Sequence, residues 1–186
     1  NPINSAFATA NQTTLEGQVV GGGAGKLIKT GTGQLIFSNA TNSFGTAGQI
    51  GLEVWPSTQN TATSIIGSTL RGAGTPFGVG DINLLPGTML RLADAANIAS
   101  QKVFAASDVM GTAGVSFGYD VTQANLLAML TTSATPSNGQ VKLSTTGDNL
   151  AVISLDNSWQ YRALDLGALE TALGGGKIWL GSATSG

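Results

Sequence analysis

Short apolar segments alternate along the whole chain with turns rich in Gly, Asn, Ser and Pro. Within a segment, apolar side chains fall on every second position, as at Ile50, Leu52 and Val54. This is the period of a β-strand with one buried face. Glycine permits positive φ at the turns, and hydroxyl and amide side chains bond the backbone there. The pattern predicts strands at 15–20, 27–29, 35–37, 50–55, 68–71, 81–85, 88–92, 102–106, 114–117, 140–144, 150–155, 161–164 and 177–180.

The spacing of the apolar segments favours parallel pairing. Successive apolar centres are separated by about one coil of a solenoid, in which a strand pairs with the next coil instead of its chain neighbour. An antiparallel sandwich suits the number of strands too, but it requires tight hairpins, and Asn138-Gly139 is the one Asn-Gly turn in the sequence. The alternation predicts a core that includes Leu35, Leu52, Leu70, Leu84, Leu92, Phe104, Phe117 and Ile178.

Two stretches carry a resemblance to a known repeat. Residues 25–37 have the sequence GKLIKTGTGQLIF, followed by Asn39, Asn42 and Phe44-Gly45. They closely resemble the autotransporter-associated β-strand repeat, and residues 74–92, GTPFGVGDINLLPGTMLRL, resemble a further coil of the same family. The resemblance implies a secreted surface protein. It also implies an all-β fold, a right-handed parallel β-helix or solenoid; the one or two short helices expected in the C-terminal half come from the residue pattern there.

The second half of the chain departs from this pattern. Residues 121–130 lack glycine and place apolar residues at helical spacing after Asp120, a candidate N-cap. Residues 166–173 form a second candidate helix, which Gly174 would end. We therefore expect one solenoid segment over 1–186, with regular coils at 20–118, a helical insert at 119–135, and further coils with a C-terminal edge at 136–186.

Composition and charge exclude several classes of partner. Charged residues make up 10% of the chain and the net charge is -2, without the basic cluster that nucleic acid requires. No apolar run reaches the ~18 residues of a membrane-spanning helix, so we expect no membrane insertion by this segment. The chain begins Asn1-Pro2 without a basic and apolar leader, so we expect a processed form or an excerpt, with any secretion signal outside it.

The sequence offers little catalytic chemistry. Histidine and cysteine are absent, which excludes Ser-His-Asp and Cys-His arrangements, and the ten acidic residues are dispersed. The Gly-rich stretch before Lys26 lacks the Ser or Thr of a phosphate-binding loop, because Leu27 follows the lysine. Asn11 and Asn39 fit the glycosylation triplet, which also arises by chance in such a chain. We expect no enzyme activity, catalytic residue, cofactor or metal.

Three classes of function remain. We expect a structural or adhesive extracellular segment, anchored to an outer membrane by parts outside it and stacked end to end in a longer surface protein or fibre. Its partners would be copies of itself, adjacent segments of a precursor, and surface glycans. A carbohydrate-binding adhesin is the alternative, and a β-helical polysaccharide-active enzyme is the third class. The residues chosen are the contact aromatics Trp55, Trp159, Tyr161 and Trp179, and the assembly edge Lys177, Ile178, Trp179 and Leu180.

Overall fold

Short β-strands make up most of the regular structure in the computed structural model of this protein. The structure describes residues 12–21, 25–57, 64–108, 111–112, 114–118, 121–143, 150–155, 163–174 and 177–182. The strands are β1 (Gln12–Leu15), β2 (Leu27–Lys29), β3 (Gln34–Phe37), β4 (Ile50–Val54), β5 (Ser64–Ser68), β6 (Asp81–Leu84), β7 (Thr88–Leu92), β8 (Val103–Ala105), β9 (Ser107–Asp108), β10 (Gly111–Thr112), β11 (Gly114–Phe117), β12 (Leu130–Thr131), β13 (Val141–Leu143), β14 (Leu150–Leu155) and β15 (Lys177–Ser182). The helices are α1 (Gln123–Met129), α2 (Leu166–Ala172) and a 3-10 turn at Ala95–Ile98.

The strands form two parallel sheets. The seven-stranded sheet has the order β1-β3-β5-β7-β11-β14-β15, and the six-stranded sheet has the order β12-β13-β8-β6-β4-β2. From β1 to β8, successive strands alternate between the two sheets, so a strand pairs with the strand two places away in the sequence. Every pairing within these two sheets is parallel, as the spacing predicted. The short strands β9 and β10 pair with each other in antiparallel fashion and belong to neither of these sheets.

The prediction of an all-β, right-handed parallel β-helix is wrong. The protein is mixed α/β: it has two separate parallel sheets and two α-helices, and the described residues form no closed solenoid. The physical reason is that the sequence pattern indicates parallel pairing between alternate strands, which two open sheets satisfy as well as a closed coil does. In addition, the stretches at helical spacing form α1 and α2, which contact one another.

Both predicted helices are confirmed. In α1 the N-cap is Thr122, whose hydroxyl accepts from the Asn125 N–H; the predicted cap, Asp120, lies outside the described residues. In α2 the N-cap is Asp165, whose carboxylate accepts from the Ala168 N–H at 3.0 Å. The helix ends at Ala172, and the φ of 66° at Gly174, two residues later, explains why glycine stands there.

The core lies between the inward faces of the two sheets and under the helices. Of the predicted core residues, Leu35, Leu52, Leu84 and Leu92 are buried, as expected. The rings of Phe37, Phe44 and Phe77 cluster beside them, with centroids 5.7 and 6.1 Å from Phe37. The side chains of Phe117 and Ile178 lie outside the described set.

Two core predictions are wrong. Leu70 is half-buried, because β5 ends at Ser68 and the leucine falls in the following turn. Phe104 is also half-buried: its neighbours Val103 and Ala105 are the inward residues of β8, so alternation turns Phe104 to the outer face. The error at Phe104 is a one-residue shift in register, which exchanges the two faces of a strand.

Candidate functional site

The predicted contact aromatics differ in how far the structure describes them. Trp55 follows β4 and is 42% exposed, so it is available for contact. Trp179 lies on β15 in register with Val152, and its side chain is not among those described. Trp159 and Tyr161 lie outside the described residues. Trp55 is therefore the predicted contact aromatic whose side chain the structure describes.

Trp55 belongs to a small polar cluster on the outer face of the six-stranded sheet. Its indole N–H donates to Glu53 Oε2 at 3.1 Å, and the Lys26 ammonium lies 2.9 Å from Glu53 Oε1. Glu53 and Trp55 are two residues apart along an extended chain, so their side chains leave the same face. The cluster fixes the edge of the indole and leaves much of its ring exposed.

The electrostatics of the cluster centre on Glu53. Partial burial would by itself raise the pKa of Glu53, but hydrogen bonds from Lys26, Trp55 and Asn83, with the charge of Lys26, lower it overall. The carboxylate is therefore ionised at neutral pH and its charge is balanced by Lys26. Because these donors hold the Glu53 carboxylate in place, Glu53 in turn fixes the position of the Trp55 indole.

The predicted assembly edge is the last strand of the seven-stranded sheet. All four residues, Lys177 to Leu180, lie on β15, which pairs with β14 over its full length. Within the described part of the chain, no strand pairs with the opposite side of β15. Its outer side therefore carries backbone N–H and C=O groups that can pair with another strand.

At the opposite end of the two sheets, the described residues likewise leave strand edges without a partner. Among the described strands, β1 ends the seven-stranded sheet and β2 ends the six-stranded sheet. Leu15, Val19 and Leu27 are only partly buried against the core there, and Val20 is 66% exposed. This end combines open strand edges with apolar side chains, a combination that favours contact with a further layer of strands.

A buried lysine is a feature that the sequence analysis missed. Lys29 is fully buried, and its ammonium donates to the carbonyls of Thr30 and Gly31 at 2.7 and 2.9 Å and to Ser64 Oγ at 3.2 Å. Burial lowers the pKa of the Lys29 amine to about 8. The available signal was the position of Lys29 two residues after Leu27, on the inward side of β2.

A serine beside a lysine of lowered pKa is an arrangement that some nucleophilic enzymes use. Here both side chains are fully buried, so a substrate could not reach the Ser64 hydroxyl in this fold. The Lys29 donors are also directed at backbone carbonyls of the turn after β2. We interpret the pair as an internal link between β2 and β5, which belong to different sheets.

Buried amides form a second set of internal links. Asn42 is fully buried; it accepts from the Val19 N–H at 2.7 Å and donates to the Pro76 carbonyl at 2.7 Å. Gln101 donates in the same manner to the carbonyls of Phe77 and Gly80. Each amide joins successive turns of the chain and replaces water as the partner of backbone groups.

The described residues hold no group of three or more Asp and Glu side chains placed to bind a metal ion. Among them there is also no helix with the length and apolarity to cross a membrane. No protein-family model, curated protein or solved structure matches the chain. The resemblance to the autotransporter-associated repeat and the expected lack of enzyme activity therefore stay predictions.

Proposed function

We propose that this chain is a structural building block of a larger extracellular or cell-surface assembly, joined to its neighbours by strand pairing at the open ends of its two sheets. The observation that carries the proposal is the position of β15, which ends the seven-stranded sheet and pairs with β14 alone among the described strands. A neighbouring copy, or an adjacent segment of a precursor, would add the next parallel strand.

The interior is suited to a protein that must resist mechanical force. Strands of both sheets stack in register, and buried side chains such as Lys29 and Asn42 link successive turns by hydrogen bonds. The surface carries few charges, because polarity is provided largely by hydroxyl and amide groups. The resemblance of residues 25–37 to the surface-protein repeat supports the same location.

Sedimentation equilibrium over a range of concentrations, in low salt and in 1 M NaCl, tests the proposal. Strand pairing depends on backbone hydrogen bonds more than on charge, so self-association should persist in high salt. Proline removes a backbone N–H, and successive residues of a strand direct their N–H groups to opposite sides. Of Ile178→Pro and Trp179→Pro, one should therefore stay folded and lose self-association, while the other loosens β14 from β15.

Trp55→Ala is the control, since Trp55 lies on the six-stranded sheet away from β15. It should associate as the native protein does. A native protein that is monomeric at every concentration, or an association that neither proline weakens, would refute edge pairing.

A further inference from the structure

Asn138 and Gly139 form the one Asn-Gly pair in the chain, and they lie in a tight turn just before β13. The Gln140 N–H donates to the Ser137 carbonyl at 3.1 Å, which closes the turn around the pair. Gly139 occupies the position of positive φ, 79°, and the Asn138 side chain is exposed. β13 pairs with β8 and β12 in parallel, so the pair does not form the hairpin that an Asn-Gly turn usually makes.

The pair carries a reaction chemistry of its own. A backbone nitrogen that follows an asparagine can attack the carbon of the side-chain amide and close a succinimide ring. Glycine at this position hinders the attack least, because it has no side chain. Here the nucleophile is the Gly139 nitrogen and the carbon attacked is Asn138 Cγ. Water then opens the ring at either of its two carbonyls, which gives aspartate or isoaspartate.

The fold holds the attacking nitrogen in place. The Gly139 N–H donates to the Gln101 carbonyl at 2.7 Å. The Gln140 side chain fixes the same turn, because it accepts from the Ser137 N–H at 2.9 Å and donates to the Ala128 carbonyl at 3.4 Å. The Gly139 nitrogen must give up its proton to attack, and the bond to Gln101 holds that proton. The reaction therefore requires the turn to open first.

We propose that Asn138 is a site of spontaneous covalent modification, converted through a succinimide to aspartate and isoaspartate at a rate set by the opening of the turn at 137–140. The bond from Gly139 N to Asn138 Cγ forms while the bond from Cγ to Nδ2 breaks. The side-chain nitrogen leaves as ammonia and carries away the Gly139 proton. Hydrolysis consumes one water molecule and adds one negative charge, and no oxidant or reductant takes part.

The modification is separate from strand pairing at β15. The turn leads into β13 of the six-stranded sheet, whereas β15 ends the seven-stranded sheet. Isoaspartate lengthens the backbone by one methylene, which shifts the Gly139 N–H relative to the Gln101 carbonyl. The protein therefore acquires with age a second charge state and a looser connection at this corner.

The test is incubation of the full chain in mildly alkaline buffer, folded and in concentrated guanidinium chloride, followed by mass spectrometry of its peptides. In the unfolded chain, Asn138 should convert faster than any other asparagine. In the folded protein its conversion should be slower by about tenfold or more, because the opened turn is a minor population. Gln140→Ala removes two hydrogen bonds of the turn and should raise the folded rate by about tenfold.

Two controls accompany these measurements. Gln18→Ala is the matched variant, since it removes an exposed amide that donates to the Thr41 carbonyl in a different turn. It should leave the Asn138 rate unchanged. Asn125 is exposed on α1 but is followed by Leu126, so it should keep its amide.

The comparison of folded with unfolded native protein depends on no variant and decides the proposal first. Equal rates in the two states, or an unfolded chain that spares Asn138, would overturn it. A folded protein that keeps the Asn138 amide over many half-lives of the unfolded chain would overturn it too. Aspartate without isoaspartate would exclude the succinimide, since direct hydrolysis of the side-chain amide gives aspartate alone. A Gln140→Ala rate equal to that of Gln18→Ala would refute control by the turn.

Discussion

At the scale of single residues, stability depends on polar side chains placed inside the core. Lys29 and Asn42 are fully buried, and each bonds backbone groups of neighbouring turns. A buried polar group stabilises the fold only while its partners are present, because an unpaired group in the core costs about 1–3 kcal/mol. These residues are therefore the most sensitive positions for substitution.

The burial of Lys29 should make the stability of the protein depend on pH in an unusual way. Burial lowers the pKa of its amine to about 8 in the folded protein, against 10.5 for an ordinary lysine. Between these values the unfolded chain binds more protons than the folded one, so the free energy of unfolding rises with pH there, by about 2 kcal/mol from pH 7 to 10. Urea unfolding of the native protein and of Lys29→Met, at pH 7 and at pH 10, measures this change in the free energy of unfolding. Equal pH slopes in the two proteins would contradict the account.

Substitution of Asn42 should lower the stability of the fold substantially. Asn42→Ala removes the Asn42 side chain that bonds the Val19 N–H and the Pro76 carbonyl, and should lower the free energy of unfolding by about 1–3 kcal/mol. Asn42→Asp keeps the acceptor but loses the donor, and should also destabilise. Asn39→Ala, which removes bonds at the surface, is the control and should cost less. Equal losses at the two asparagines would refute a special role for the buried one.

At the scale of elements, glycine sets how closely neighbouring turns approach. A Cβ on Gly80 would lie 2.6 Å from the Cα of Gly51 and 3.0 Å from the Gln49 carbonyl oxygen. The register of β4 and β6 shifts between Ile50 and Leu52, so Gly51 sits at an irregularity where the backbones are packed together. Backbone atoms cannot rotate away as a side chain can.

Gly80→Ala should therefore destabilise the protein by about 1–3 kcal/mol, through steric strain alone. Gly17→Ala is the matched control, because nothing lies within 4 Å of the Cβ it would gain. Thermal unfolding followed by circular dichroism compares the two variants. A Gly80→Ala protein as stable as Gly17→Ala would mean that the turns are not packed as described.

The elements also show how far the sequence determines the structure. The two-residue period located most strands, and the helical spacing of 121–130 and the glycine after 166–173 located both helices. Phe104 was placed on the wrong face, because a single aromatic in VFA does not reveal the register of a three-residue strand. How the strands divide into two open sheets depends on contacts between residues distant in sequence, which local patterns do not contain.

The candidate site was predictable in part for the same reasons. Trp55 was chosen as an aromatic on the outward side of β4, and the structure exposes it. Its link to Lys26 and Asn83 joins three different turns of the chain, and such links require the fold to be known. Lys29 was missed because a lysine in a strand is ordinarily solvated.

At the scale of the whole molecule, both sheets end in strands that have no further partner among the residues the structure describes. β1 and β2 lie at one end, and β15 lies at the other end of the seven-stranded sheet, within the described residues. Open edges of parallel sheets accept further strands unless they are blocked. A protein of this construction is expected to continue into a neighbour, which is the central claim of the proposed function.

Amide hydrogen exchange of β15, measured residue by residue at low and high protein concentration, tests that claim most directly. If copies pair through this edge, alternate amides of Lys177–Ser182 should exchange more slowly as concentration rises, in 1 M NaCl as well as in low salt. The amides of β4, inside the six-stranded sheet, should not change. Exchange at β15 that is independent of concentration would contradict the account.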